Sequence, residues 1–452
     1  MKTTIESLFG IGIFLSVLLV DSPAFSQEVL RLTLEESLEY ALENNVEAKN
    51  AKLETLIAKA SITERRSAGL PQINGTFDVT HNAAIPVVFL PNEGPLANPD
   101  VDSDVLPVRF GVNYTSGLVF QLNQMIFDGS YFVGLKAAKT YKLLSEFDNQ
   151  KTQVDVKESI KKAYFSVLVN DVRQTLVRAN LGRLDTLLKE TQALYEAGFA
   201  EKIDVSRIKV QRNNLQTEIE KVQAARDISV ELLKLQMGLP MNYQIELSEK
   251  LQDLVSLGEL EALLQSEGGR RVEVDQLETN LELVDLDIKY TTSLYIPNLD
   301  IFGTYQRNAA AQSTGLMFQN DRWFTGAFIG LRLQIPVFDG LLKSAQIRQK
   351  RYQMEQLQNQ KIFVEDNIRV ERFQAKTTLE NNIRTFKAQE ENRELALEVF
   401  RMAQIKYQEG VGSNLEVVEA DSALKDAENN YFSALYDALI AKVDLEKALG
   451  VL

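Results

Sequence analysis

The sequence predicts an α plus membrane-β fold, made of two copies of one plan. Each copy carries a pair of alternating strands followed by a hairpin of very long helices. Three observations lead there. Trp323, Thr325, Ala327, Ile329, Leu331, Leu333, Ile335 and Val337 occupy every second position, the period of a strand. After Phe338-Asp339-Gly340 the alternation stops, and no proline occurs between 337 and 452. The same succession occurs earlier, where an alternating run ends at Phe127-Asp128-Gly129 inside a second proline-free stretch, 108–239. Both stretches are rich in Ala, Leu, Glu, Lys and Gln, which favour helix.

The N-terminus reads as an export signal over residues 1–26. Lys2 precedes an apolar run from Leu8 to Val20, and Ala24-Phe25-Ser26 places small residues two apart before Gln27. The run is too short to span a bilayer comfortably. With 45% hydrophobic and 25% charged residues the chain is globular rather than disordered. The absence of cysteine excludes disulfides, thiolate metal sites and a lipid on cysteine, and the single histidine, His81, excludes a multi-histidine metal site. A net charge of −14 argues against nucleic acid as a partner. No Gly-rich phosphate loop or nucleophile elbow is present, so the expectation is no enzyme, no cofactor and no metal.

The duplication is visible residue by residue. Phe127-Asp128-Gly129 recurs 211 positions later, and "YEAG" at 195–198 recurs as "YQEG" at 407–410. "MGL" at 237–239 answers "LGV" at 449–451, while Val46-Glu47 and Pro71 answer Val272-Glu273 and Pro297. The predicted organisation is a first repeat at 27–240, a connector at 241–257 and a second repeat at 258–452. Each repeat opens with a helix, 33–68 or 258–293.

In the first repeat Phe110, Val112, Tyr114, Leu118, Phe120 and Leu122 share one strand face, with Ser116 the exception. Ile73, Phe77 and Val79, and Leu299, Ile301 and Tyr305, form shorter runs of the same kind. In a membrane barrel the apolar face points to lipid and the polar face lines water. Four strands cannot close a barrel, and open edges cannot sit in lipid. Strands that meet a bilayer must therefore be shared, as eight or twelve from two or three chains. The segment 86–107 carries five prolines and four acids, Glu93, Asp100, Asp102 and Asp104, and suits an outer loop. Phe127 and Phe338 belong to an aromatic belt at the other end, with Asp128 and Asp339 as helix caps.

The stretch from Gly129 to Gly198 spans 69 residues, roughly 100 Å of helix. These helices are too charged to enter a bilayer and must stand in water as coiled coils. Val417, Ala420, Leu424, Ala427, Tyr431, Ala434, Ala438, Ala441, Leu445 and Ala448 follow heptad spacing. A second stripe, Phe432, Leu435, Leu439 and Val443, lies beside it and suits a helix with neighbours on both sides.

This plan resembles the TolC-like outer-membrane efflux proteins (outer membrane factors) over residues 27–452. The marks are "LTLEESLEYALENN" at 32–45, the two Phe-Asp-Gly junctions and the glycine breaks in "YEAGFAEKIDV" and "YQEGVGSNLEV". The resemblance implies a homotrimer whose four strands per chain build a shared twelve-stranded outer-membrane β-barrel. Its helices would form a coiled-coil α-barrel across the periplasm of a Gram-negative cell. Such a duct passively serves a tripartite efflux or type I secretion system, with a periplasmic adaptor and an RND or ABC inner-membrane pump as partners. The resemblance makes the helix breaks periplasmic tips, so Gly198, Phe199, Gly410, Val411, Gly412 and Ser413 would dock the adaptor. It places Asp204 and Tyr407 in contacts that close the gate, and Glu416 and Glu419 at an acidic constriction. Gly412 stands where some members carry an arginine that pairs with the tip aspartate. The alternative is a periplasmic coiled-coil scaffold or adaptor with no pore; an adaptor would need a lipoyl-like module, and none is evident.

Overall fold

The structure, a computed structural model, describes residues 29–96, 99–100, 102–254, 256–317 and 319–452. The expected signal segment lies outside the described residues. In chain order the first half contains β1 (Leu30–Leu32), α1 (Leu34–Asn44), α2 (Val46–Ser67), β2 (Gln72–His81), β3 (Val87–Pro91), β4 (Val105–Arg109), β5 (Tyr114–Phe127), α3 (Gly129–Glu196) and α4 (Lys202–Met237). Then come β6 (Ile245–Leu247), α5 (Leu257–Leu264), α6 (Val272–Ser293), β7 (Asn298–Ala311), α7 (Thr314–Met317), β8 (Trp323–Gln334), α8 (Leu342–Gln408) and α9 (Asn414–Leu449).

The long helices run unbroken, 68 residues in α3 and 67 in α8. Asp128 caps α3 by accepting from the Ser130 amide at 2.7 Å. Asp339 accepts from the Leu341 and Lys343 amides, but Gly340 and Leu341 first take left-handed conformations, at φ 66° and 69°. The second strand-to-helix junction is also the longer one, since β8 ends at Gln334 and α8 starts at Leu342, while only Asp128 separates β5 from α3. Each hairpin tip closes on a left-handed glycine, Gly198 or Gly410. In each, the next residue's amide reaches back five positions, Phe199 to the Leu194 carbonyl and Val411 to the Lys406 carbonyl.

Three expectations need correction. The helix expected over 33–68 breaks at Asn45, whose φ of −57° and ψ of 138° are not helical. Its side-chain oxygen caps α2 through the Glu47 and Ala48 amides, and its amide group donates to the Gln236 carbonyl at 2.7 Å. The helix expected over 258–293 likewise divides into α5 and α6, with Arg271 at the cap position. The run 110–122 is not one strand: β5 begins at Tyr114, and Gly111, at φ 149°, turns the chain between β4 and β5. Phe110 and Val112 thus lie outside β5, and β8 ends at Gln334, before Ile335 and Val337.

The two breaks in the helices form matching sockets. Gly238, at φ 72°, ends α4 against the Asn44–Asn45 backbone, and Gly450, at φ 74°, ends α9 against Arg270. Around the first socket β1 and β6 pair in parallel, tying the chain start to the connector. Buried Tyr164 completes this layer, donating to the Leu32 carbonyl and lying 2.9 Å from Glu249 Oε2. The same Glu249 oxygen accepts from the Leu34 amide at 2.8 Å. Burial, with the Glu249 carboxylate beside it, pushes the Tyr164 hydroxyl well above its ordinary pKa. Tyr164→Phe is expected to cost about 1–2 kcal/mol, measured as a lowered denaturation midpoint in detergent.

Both stripes expected on α9 are buried apart from Ala427, which is half-buried. Phe432, Leu435, Leu439 and Val443 join the core around Tyr164. Val417, Ala420 and Leu424 join a second core nearer the tips, with Val177, Leu184 and Ile208.

Candidate functional site

The strands form one antiparallel sheet in the order β2-β5-β7-β8. Register assembles its faces. Ile73 opposes Leu122, Phe77 opposes Leu118, and Phe120 opposes Tyr305. Ile301 opposes Leu331, and Leu299 opposes Leu333, so one apolar face runs across all four strands. On the other face Asn74 opposes Gln121, Gln121 opposes Thr304, and Asp300 opposes Arg332. The chain leaves much of the apolar face uncovered: Ile73, Ile329 and Leu331 are 69%, 74% and 69% exposed. Such a face seeks an apolar cover. The outer strands β2 and β8 each have one unpaired edge within this sheet. Among the described residues no helix is long and apolar enough to cross a membrane.

The ends of the sheet differ. At one end His81 stacks on Tyr114 at 4.6 Å, and Arg307 lies over Trp323 at 5.9 Å. At the other, Phe127 and Phe338 are exposed, with Phe338 at 81%. Between β3 and β4 the expected outer loop carries its own antiparallel ribbon. The sequence reading missed the aromatic residues on the polar face. Phe302 and Phe328 meet edge to face at 6.3 Å, and Arg332 covers Phe302 at 4.6 Å. Their signal was present, since Phe324 and Phe328 alternate with Thr325, Ala327 and Ile329.

At the far end the two tips enclose a cleft of about 820 Å³, lined by Phe199, Asp204, Tyr407, Gly410, Gly412 and Ser413 among others. Gly198 and Val411 flank it in the tip turns, and Phe199 and Val411 are 82% and 78% exposed. Asp204 and Tyr407 do not bond each other. Asp204 folds back on its own helix start, accepting from the Glu201 amide at 3.2 Å and pairing with Arg207 at 3.5 Å. The Tyr407 hydroxyl sits 3.2 Å from Thr191 Oγ1, which also accepts from Asn414 Nδ2 at 3.2 Å. Thr191 thus stitches α3, α8 and α9 together, a role that sequence spacing does not reveal. Ser413 caps α9 by accepting from the Glu416 amide at 3.2 Å.

Glu416 and Glu419 are exposed on one side of α9 and share a crevice with Val399, Met402 and Lys406. Gly412 has no room for a side chain: a Cβ there would lie 3.0 Å from the Lys406 carbonyl carbon and from the Tyr407 amide nitrogen. A residue larger than glycine at 412 therefore requires this backbone to move. Among the described residues no group of three or more His, Asp or Glu side chains is placed to hold a metal ion.

The family model described as outer membrane efflux protein matches residues 38–239 and 263–451, most of the chain. The chain belongs to this family. Relatives of this outer membrane efflux protein include outer membrane protein TolC of Vibrio cholerae, 22% identical over 436 residues, covering 94% of this chain and 92% of the relative. Alkaline protease secretion protein AprF of Pseudomonas aeruginosa is 22% identical over 356 residues, covering 75% and 70%. Among solved structures, the outer membrane protein VceC of Vibrio cholerae aligns at TM-score 0.69 and 16% identity, over 92% of this chain and 96% of that one. A membrane protein from Pseudomonas aeruginosa aligns at TM-score 0.70 and 19% identity, over 92% and 93%. The shared fold joins long helices to a β-sheet, and the efflux protein is a channel component of the outer membrane of Gram-negative cells.

Proposed function

We propose that three copies of this outer membrane efflux protein form a passive duct across the outer membrane and periplasm. The observation that carries this is the four-stranded sheet with one apolar face and two open edges. Pairing β8 of one copy with β2 of the next, around a threefold axis, gives twelve strands and removes every edge. The apolar face then meets outer-membrane lipid, and the polar face, with Asn74, Gln121 and Thr304, lines water. The helical hairpins stand in the periplasm as a hollow cylinder. A periplasmic adaptor docks on the tips at Gly198, Phe199 and 410–413, and an inner-membrane pump of RND or ABC type loads the cargo. The exposed Phe199 and Val411 support the docking role, since each offers an apolar anchor.

Glu416 and Glu419 act as the periplasmic constriction, with Asp204 and Tyr407 supporting the closed tips. Threefold symmetry brings six carboxylates together, which attract cations and repel anions. The test is single-channel recording of the purified trimer in planar bilayers. Glu416→Ala with Glu419→Ala is expected to reduce cation preference severalfold at low salt, the effect fading as ionic strength rises. Unchanged selectivity removes the gate assignment, while a water-soluble monomer that forms no channel removes the duct.

A further inference from the structure

Beside the core nearer the tips, α9 presents two acids to one guanidinium. Asp421 and Glu428 lie seven residues apart on the same side of the helix, and Arg183 of α3 reaches towards both. Arg183 Nε lies 3.3 Å from Asp421 Oδ1, whereas its Nη2 stands 3.7 Å from Glu428 Oε2, too far for a hydrogen bond. Glu428 Oε2, Arg183 Nη2 and the neighbouring Asn180 Oδ1 are all buried and without hydrogen-bond partners. Asp421 is only 6% exposed. With two carboxylates set against one buried guanidinium, the site holds more negative than positive charge, and one added proton would redress it.

We infer that Arg183 is a positioning residue for the periplasmic gate, and that with Asp421 and Glu428 it forms a latch that grips α9 more firmly when a proton is added. The inference rests on the reading of Glu416 and Glu419 as the gate, because both ride on the same helix just before Asp421. Among the described residues no cation besides Arg183 bears on Glu428. Arg183 from α3 and Lys425 from α9 are the cations that bear on Asp421, and Arg183 is the one that bears on Glu428. α8 contributes the Phe400 ring, 5.6 Å beneath the Arg183 guanidinium, and α4 contributes Leu215 and Val222 to the same apolar layer.

Burial pushes both carboxyls above their ordinary pKa, Arg183 offsets this in part, and Asp421 adds to the rise at Glu428. The sign follows from linkage. A carboxyl whose folded pKa is raised is uncomfortable when ionised, so the folded contact gains stability as pH falls from neutral towards the ordinary carboxylate range. Protonation of Glu428 removes the second buried negative charge that Arg183 alone has to offset. The α3–α9 contact therefore tightens on acidification and loosens as pH rises, so acid favours the closed tips.

The test compares open fractions in planar bilayers at neutral pH and at a lower, mildly acidic pH. The unaltered protein is expected to open severalfold more at the higher pH. Glu428→Gln, which mimics the neutral acid and donates from its amide, is expected to stay mostly closed at both. The pH response should persist when Glu416 and Glu419 are changed to glutamine. A Glu428→Gln channel with the full pH response, or greater opening on acidification, overturns the latch. Hydrogen exchange along α9, corrected for its intrinsic pH dependence, reads the latch without conduction. Slower exchange at the lower pH that vanishes in Glu428→Gln supports it even if no current flows, in which case the duct reading alone fails. Equal exchange at both pH values overturns it.

Discussion

Gly238→Ala is expected to destabilise the protein by about 3–5 kcal/mol, the sum of left-handed strain and a clash that cannot relax. Gly238 sits at φ 72°, and an added Cβ would stand 2.4 Å from the Asn44 carbonyl oxygen and 2.8 Å from its carbon. Those atoms are backbone, fixed by the cap that Asn45 builds for α2. To make room, α4 would have to withdraw from the α1–α2 junction, opening the core that holds Leu233, Met237 and Leu239. The comparison is Gly340→Ala, where φ is 66° but nothing lies within 4 Å of the added carbon. That change carries strain alone and should cost about 1 kcal/mol. Denaturant midpoints of the two variants in one detergent measure the difference. Similar losses for both would show that the socket yields.

Leu331→Arg carries the second large effect. Leu331 lies on the apolar face, opposite Ile301 and 69% exposed in the single chain. If lipid covers this face, a cation near the middle of the band costs about 2–4 kcal/mol. Gln121→Arg, on the opposite face between Asn74 and Thr304, places the same charge towards water. It is expected to leave insertion intact and shift ion selectivity towards anions. Refolding into vesicles, followed by the heat-induced mobility shift of the assembled barrel, separates the two. Equal tolerance of both substitutions would mean that the apolar face is not turned to lipid.

The readable parts of this fold are those whose causes are local. Strand alternation, freedom from proline, and the Phe-Asp-Gly junctions each lie within a few residues, and the structure places strands, long helices and caps accordingly. Asn45 was not readable, because an asparagine among good helix formers looks like a weak helical residue. What stops the helix there is a carbonyl at Gln236, 191 positions away. The tips were readable through their glycines, but the partner of Tyr407 was not: Thr191 lies 216 positions away. The Arg183–Asp421 pair, 238 positions apart, likewise requires two helices to be brought side by side before it exists. Charged residues on coiled-coil helices otherwise read as solvated faces.

The sheet order has a consequence for how the molecule is made. β5 belongs to the first half and β7 to the second, yet they are central neighbours joined along nearly their whole lengths. A half-chain would own only a two-stranded ribbon, which is marginal on its own. The two halves are therefore not expected to fold as independent modules. Synthesis has to run past β8 before the four-stranded sheet is complete, and until then β5 lacks the neighbour that pairs its second edge.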